Sequence, residues 1–194
     1  LLAAVILSGG ESKRMGSPKA LLRLGGETFL EHLRAVTRHE RIGVRRVVLG
    51  AHAKAIRETV ALPDDEVVVN AEWEQGTLSS LQAAIRSLPA GTDGLLLCLV
   101  DHPLIGGELV GRLIEAFYAL RKKIVLPVCG GRRGHPVIFS AELYGELLAA
   151  PMEVGARAVV WAHAEEVAEV MTKDDGCLVN VNDPSAVARL EGKA

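Results

Sequence analysis

Three glycines and three cations near the amino terminus are the residues best suited to chemistry in this chain. Gly9, Gly10 and Gly16 alternate with Lys13, Arg14 and Lys19 in the run LSGGESKRMGSPK. Glycine lets backbone N–H groups come close to an anion, and basic side chains can then close over it. The natural occupant of such a loop is a phosphate chain, with Leu7, Ser8, Gly9 and Gly10 supplying backbone and Arg14 and Lys19 supplying charge. Further along, Asp101-His102-Pro103 follows an apolar run, where a carboxylate is a natural Mg²⁺ ligand beside a triphosphate. Between these lies Asn70-x-x-Trp73-x-x-Gly76-x-x-Ser79-Ser80-Leu81, whose hydroxyls fit either ordinary helix capping or reception of an anion or a sugar. Arg132, Arg133 and His135 lie in Gly-Gly-Arg-Arg-Gly-His-Pro. The arginines fit either solvated loop charge or contact with an acceptor phosphate, and His135, before a proline, reads first as a hydrogen-bonded structural residue. His102 reads as structural or peripheral.

Two commoner nucleotide loops do not match. The P-loop requires Gly, four residues and then Gly-Lys-Ser/Thr, whereas five residues separate Gly10 from Gly16 and Ser17 follows directly. The dinucleotide fingerprint G-x-G-x-x-G is absent too, which argues against a redox module of that kind.

The elements that must position these residues alternate between apolar runs and helix-period segments, the pattern of an α/β layered fold with a mostly parallel sheet. Strands are expected at about 2–7, 47–49, 66–70, 94–100, 124–128, 134–139 and 166–171, the last as an edge, and residues 178–181 close the pattern. Val67–Val69 reads as part of a strand buried on both faces. Thr28 and Glu31 form a capping box for a helix bearing Phe29, Leu33 and Val36 on one face. Further helices are expected at about 53–60, after Gly76, at 108–120, from Ser140 to 148, at 154–161 and from Pro184 to about 190.

The 194 residues suit one domain over 1–194, and a hydrophobic content of 49% is ample for a core. Aromatics are only 4%, so aliphatic side chains must fill it. A net charge of −2 offers no global field for nucleic acid, so no nucleic-acid partner is expected. The cysteines, Cys98, Cys129 and Cys177, show no C-x-x-C spacing, which argues for a reducing compartment. The opening apolar run is too short to span a membrane, so a cytoplasmic location without membrane association is expected.

The run LSGGESKRMGSPKALL resembles the signature loop of the MobA-like nucleotidyltransferases, L-A-[AG]-G-x-[SG]-x-R-[MF]-G-x-x-K, with Ser8 in place of the commoner alanine. The N-x-x-W-x-x-G-x-x-S-S-L and R-G-H-P-V-I-F blocks resemble the branch that makes the cytosine dinucleotide form of the molybdenum cofactor. The resemblance implies a three-layer αβα Rossmann-like nucleotidyltransferase fold, a mostly parallel sheet with an antiparallel strand. It also implies Mg²⁺-dependent nucleotidyl transfer (Mn²⁺ is an alternative) from an NTP, CTP favoured, to a phosphate acceptor such as molybdopterin, with a molybdoenzyme as a further partner. By resemblance, Arg14 and Lys19 meet the phosphates, Asp101 binds the metal, the Asn70–Ser80 block lines ribose, base and second substrate, and Arg132, Arg133 and His135 face the acceptor. The family's closing D-[IV]-D-T-P is here Asn180-Val181-Asn182-Asp183-Pro184, leaving Asn182 an uncharged ligand. Guanylyl transfer to the same cofactor, a sugar-phosphate acceptor, or a non-catalytic nucleotide-binding chaperone are the alternatives.

Overall fold

The computed structural model describes residues 1–12 and 15–191; Lys13, Arg14 and the last three residues lie outside the described part. The strands are β1 (Leu2–Ser8), β2 (Arg23–Leu24), β3 (Glu27–Thr28), β4 (Ile42–Leu49), β5 (Val67–Val69), β6 (Gly94–Leu99), β7 (Ile124–Cys129), β8 (Arg132–Arg133), β9 (Val137–Ser140) and β10 (Val167–Thr172). The helices are α1 (Phe29–Val36), α2 (Ala53–Thr59), α3 (Thr77–Ser87), α4 (Gly107–Leu120), α5 (Tyr144–Ala149), α6 (Arg157–Ala162) and α7 (Pro184–Glu191).

Eight strands form one mixed sheet in the order β10-β7-β9-β6-β1-β4-β5, with β8 folded back on β7, while β2 and β3 make a separate hairpin. β1 runs parallel to both β4 and β6, and β9 is antiparallel to β6 and β7. Successive residues of β1 divide between two cores, as period-2 geometry demands: Leu2 and Ile6 pack with α1 and α4, while Ala3, Val5 and Leu7 pack with α3. Helices α5 and α6 share the α3 side. The result is the expected three-layer αβα arrangement.

Chain order reverses at β1: the path runs outward through β4 and β5, then returns to β6 on the other side. In open α/β sheets this switch point, at the carboxyl ends of the strands, is where ligands bind. The glycine loop follows β1 and Asp101 follows β6, so both open on that crevice.

Some local expectations need correction. β5 is an edge strand, not one buried on both faces, and Val69 is 58% exposed. The second strand begins at Ile42 rather than Val47, because the cations that mask its apolar pattern find partners: Arg45 pairs with the Glu66 carboxylate at 3.0 Å and Arg46 donates to the Asp65 carbonyl at 3.0 Å. Arg132 and Arg133 form a two-residue strand against β7, not an open loop. Residues 175–178 form a 3₁₀ turn, and no strand forms at 178–181. The capping box is present, with Glu31 N–H donating to Thr28 Oγ1 at 3.1 Å and Thr28 N–H to Glu31 Oε2 at 2.8 Å.

Candidate nucleotide-binding site

A cleft of about 270 Å³ opens at the switch point. Its lining includes Leu7, Ser8, Gly9 and Gly10 from the end of β1, Lys19, Gly76 and Ser80 around the start of α3, and Asp101 after β6. Each arrives by a local necessity. Gly9 passes so close to α3 that a Cβ there would stand 2.7 Å from Ser80 Oγ. Gly76 takes φ +98° to turn the chain into α3, and the N–H groups of that helix start are unsatisfied within the helix, as an anion requires.

Lys19, Asp101 and Asn182, remote in sequence, converge at the rim. Lys19 Nζ lies 3.5 Å from Asp101 Oδ2 and donates to Asn182 Oδ1 at 2.7 Å. Ser12, with φ 56°, turns the loop so that its Oγ accepts the Lys19 N–H at 3.3 Å. Asn182 arrives because Val181 N–H donates to the Asp101 carbonyl at 2.7 Å. The neighbouring Asp183 caps α7: its Oδ1 accepts from Ala186 N–H at 2.9 Å.

The donor set fits a hard divalent cation. Asp101 Oδ2, facing Lys19 at the cleft, supplies a carboxylate oxygen, and Asn182 adds an amide oxygen. No cluster of three or more His, Cys, Asp or Glu forms a ready metal cage among the described residues. One carboxylate and one carbonyl suit Mg²⁺ or Mn²⁺ held also by substrate phosphates and water.

Other sequence candidates fall differently. Arg14 lies outside the described residues. Asn70 and Ser79 do not line the cleft: both are buried, Asn70 Nδ2 donating to Ser79 Oγ at 2.9 Å and Ser80 Oγ at 3.1 Å, and Ser79 Oγ donating to the Gly76 carbonyl at 2.8 Å. They brace the turn into α3. Arg132 is exposed, and Arg133 is held by Glu169 at 2.8 Å; neither lines the cleft. The His135 ring packs 4.7 Å from that of His102 beside Asp101. Burial, and secondarily His102, pushes the His135 pKa down to about 4, and burial likewise lowers that of His102.

Residues around Gly50 support the loop without showing a motif. A Cβ on Gly50 would strike the Gly9 carbonyl and stand 2.6 Å from Trp73 Cβ. Ala51 N–H donates to the Gly9 carbonyl at 3.2 Å, and His52 Nε2 meets the Glu11 carbonyl at 2.7 Å. The only sequence signal was a glycine ending an apolar run.

Residues 4–167 match the model of the MobA-like NTP transferase domain. The chain belongs to the MobA-like NTP transferase family. As a MobA-like protein it is a nucleotidyltransferase. It is 32% identical over 197 residues to a molybdenum cofactor guanylyltransferase of Cereibacter sphaeroides, covering 98% of this chain and 95% of that one. It is also 32% identical over 157 residues to a nicotine blue oxidoreductase of Paenarthrobacter nicotinovorans, covering 73% and 72%. Among solved structures, Rv0371c of Mycobacterium tuberculosis superposes with a TM-score of 0.84 at 28% identity, over 98% of this MobA-like chain and 97% of that one. A further structure of that protein is a complex with manganese, with a TM-score of 0.75 at 25% identity, over 100% and 99%.

Proposed function

We propose that this protein transfers a nucleotidyl group from a nucleoside triphosphate to a phosphate of a molybdopterin-type cofactor, releasing pyrophosphate. The convergence of Lys19, Asp101 and Asn182 beside the glycine loop carries this reading, since an ammonium, a carboxylate and an amide oxygen that lie together suit one triphosphate and its cation. A phosphate oxygen of the acceptor attacks the α-phosphorus, one P–O bond forms, and the α–β bridge breaks. The attacking phosphate is already ionised at neutral pH, so the site needs no general base. The backbone from Leu7 to Gly10 holds the phosphates. Lys19, with Arg14 by family resemblance, stabilises the leaving pyrophosphate, and Asp101 with Asn182 holds a divalent cation, Mg²⁺ by preference or Mn²⁺. That cation supplies charge neutralisation on the triphosphate. Catalysis is then positioning and preorganised electrostatics.

Two donors each have an observation behind them. The guanylyltransferase relative that spans 98% of the chain supports GTP. The W-x-x-G-x-x-S-S-L and G-H-P-V-I-F blocks support CTP by resemblance. Incubation with each of the four triphosphates, molybdopterin and Mg²⁺, read as pyrophosphate release, decides between them. Triphosphate binding without release in all four would replace this reading with a nucleotide-binding chaperone. The oxidoreductase relative supports a redox reading, which a flavin and nicotinamide titration without spectral change removes. A cytoplasmic setting and a molybdoenzyme recipient accompany the proposal; among the described residues no helix is long and apolar enough to cross a membrane.

A further inference from the structure

The cation corner contains polar atoms that the transfer reaction, as described, leaves unused. Asp101 divides its oxygens: Oδ2 faces Lys19, while Oδ1 is buried and turned away toward His102, whose Nε2 stands 3.9 Å off. His102 is itself almost wholly buried, with a side chain 8% exposed, and its Nδ1 has no partner among the described residues. The ring is held from behind by His135 at 4.7 Å and from below by the turn in which His102 N–H donates to the Leu99 carbonyl at 3.0 Å. A ring so confined can present only one edge to the carboxylate. In the tautomer with hydrogen on Nε2, the ring turns a positive edge toward Oδ1.

We infer that His102 is a positioning residue that holds Asp101 Oδ1 through its Nε2–H and so keeps Oδ2 aimed into the cleft. The inference rests on Asp101 being a cation ligand. At 3.9 Å the contact is longer than a hydrogen bond, but it lies within range of a charge–dipole attraction. Outer partners of this kind fix ligand orientation, and their loss typically weakens metal binding about 10- to 100-fold. His135 then has a part in the same device. Its ring backs His102, and its N–H donates to the Cys177 carbonyl at 2.9 Å, in the segment that leads to Asn182. Both corners of the cation site thus lean on one histidine pair.

The chemistry separates three substitutions. Glutamine places its amide nitrogen where Nε2 was, asparagine places it nearer the Nδ1 position, and leucine has no donor. Mn²⁺ binding is measured by electron paramagnetic resonance, with a triphosphate whose α,β-bridge is methylene, so that nothing turns over. Wild type and His102→Gln are expected to bind alike, and His102→Asn and His102→Leu about 10- to 100-fold more weakly. Thermal melts accompany each variant, and the Gln/Asn comparison carries the test should leucine fail to fold. Equal affinity in all four proteins, or a His102→Gln as weak as leucine, would overturn the role of His102. Equal affinity in wild type and Asp101→Ala would instead remove the cation site, and the inference with it.

Discussion

At the residue scale, Lys19 is the group that ties the glycine loop to the far corner of the cleft. Its ammonium reaches both Asp101 and Asn182, residues more than eighty positions away in sequence. Replacing Lys19 or Asp101 by alanine is expected to lower the rate of pyrophosphate release by about 10²–10³ while leaving the melting temperature within a few degrees, because each change removes preorganised charge from an open cleft. Full turnover in both variants would show that chemistry occurs elsewhere. Asn70→Ala should behave in the opposite way. It removes the amide that donates to the buried Ser79 and Ser80 hydroxyls and accepts from Glu72 N–H, so it should cost about 1–3 kcal/mol of stability, lowering the melting temperature with no comparable loss of kcat in folded protein. The types of Lys19 and Asp101 were legible in the sequence because charge beside glycine, or after an apolar run, has few other uses. The fate of Asn70 was not: an amide that braces a turn and one that touches a ligand look alike until their neighbours are placed.

At the scale of elements, the loop after β1 is shaped as much by the end of β4 as by its own glycines. Gly50→Ala should push the Gly9 carbonyl and Trp73 apart, raising KM for the triphosphate more than it lowers the melting temperature; steady-state kinetics against a thermal melt checks this. Thr28→Ala removes half of the capping box and should cost about 1 kcal/mol, with no change in KM. Strand and helix identities were readable where an unbroken apolar run stood between turns, as in β1 and β6, or where the helical period was clear, as in α4. They were blurred where partners elsewhere decide. β4 reads short because its two arginines look like loop charge until the Glu66 carboxylate and the Asp65 carbonyl are placed beside them. β5 reads as central because three valines cannot announce that no strand lies beyond them.

At the scale of the whole molecule, two apolar cores sandwich the sheet, and the histidine pair is the buried titratable feature closest to the site. His135 stays neutral in the fold down to about pH 4, whereas in the unfolded chain it takes a proton near 6.5. The unfolded state therefore binds more protons between those values, and stability should fall as pH drops through that window and level off below it. The full contribution is on the order of 3 kcal/mol. Denaturant titrations in EDTA across this range should show the slope, and His135→Gln should reduce it, leaving the share of His102, whose pKa burial also lowers. The layered architecture itself was evident from the alternation of runs. The long way home of the last segment was not, since nothing in Asp174–Asn182 marks it as extended along other loops. That segment is threaded through two bottlenecks: a methyl on Gly134 would stand 2.5 Å from the Cys177 carbonyl, and one on Gly176 would stand 2.5 Å from that of Leu104. A chain cut just after β10 would thus keep every strand of its sheet and still lack Asn182. Anyone trimming this protein to a minimal version should count the tail among its working parts, because Cys177, Val181 and Ala186 also fill the core on one face of the sheet.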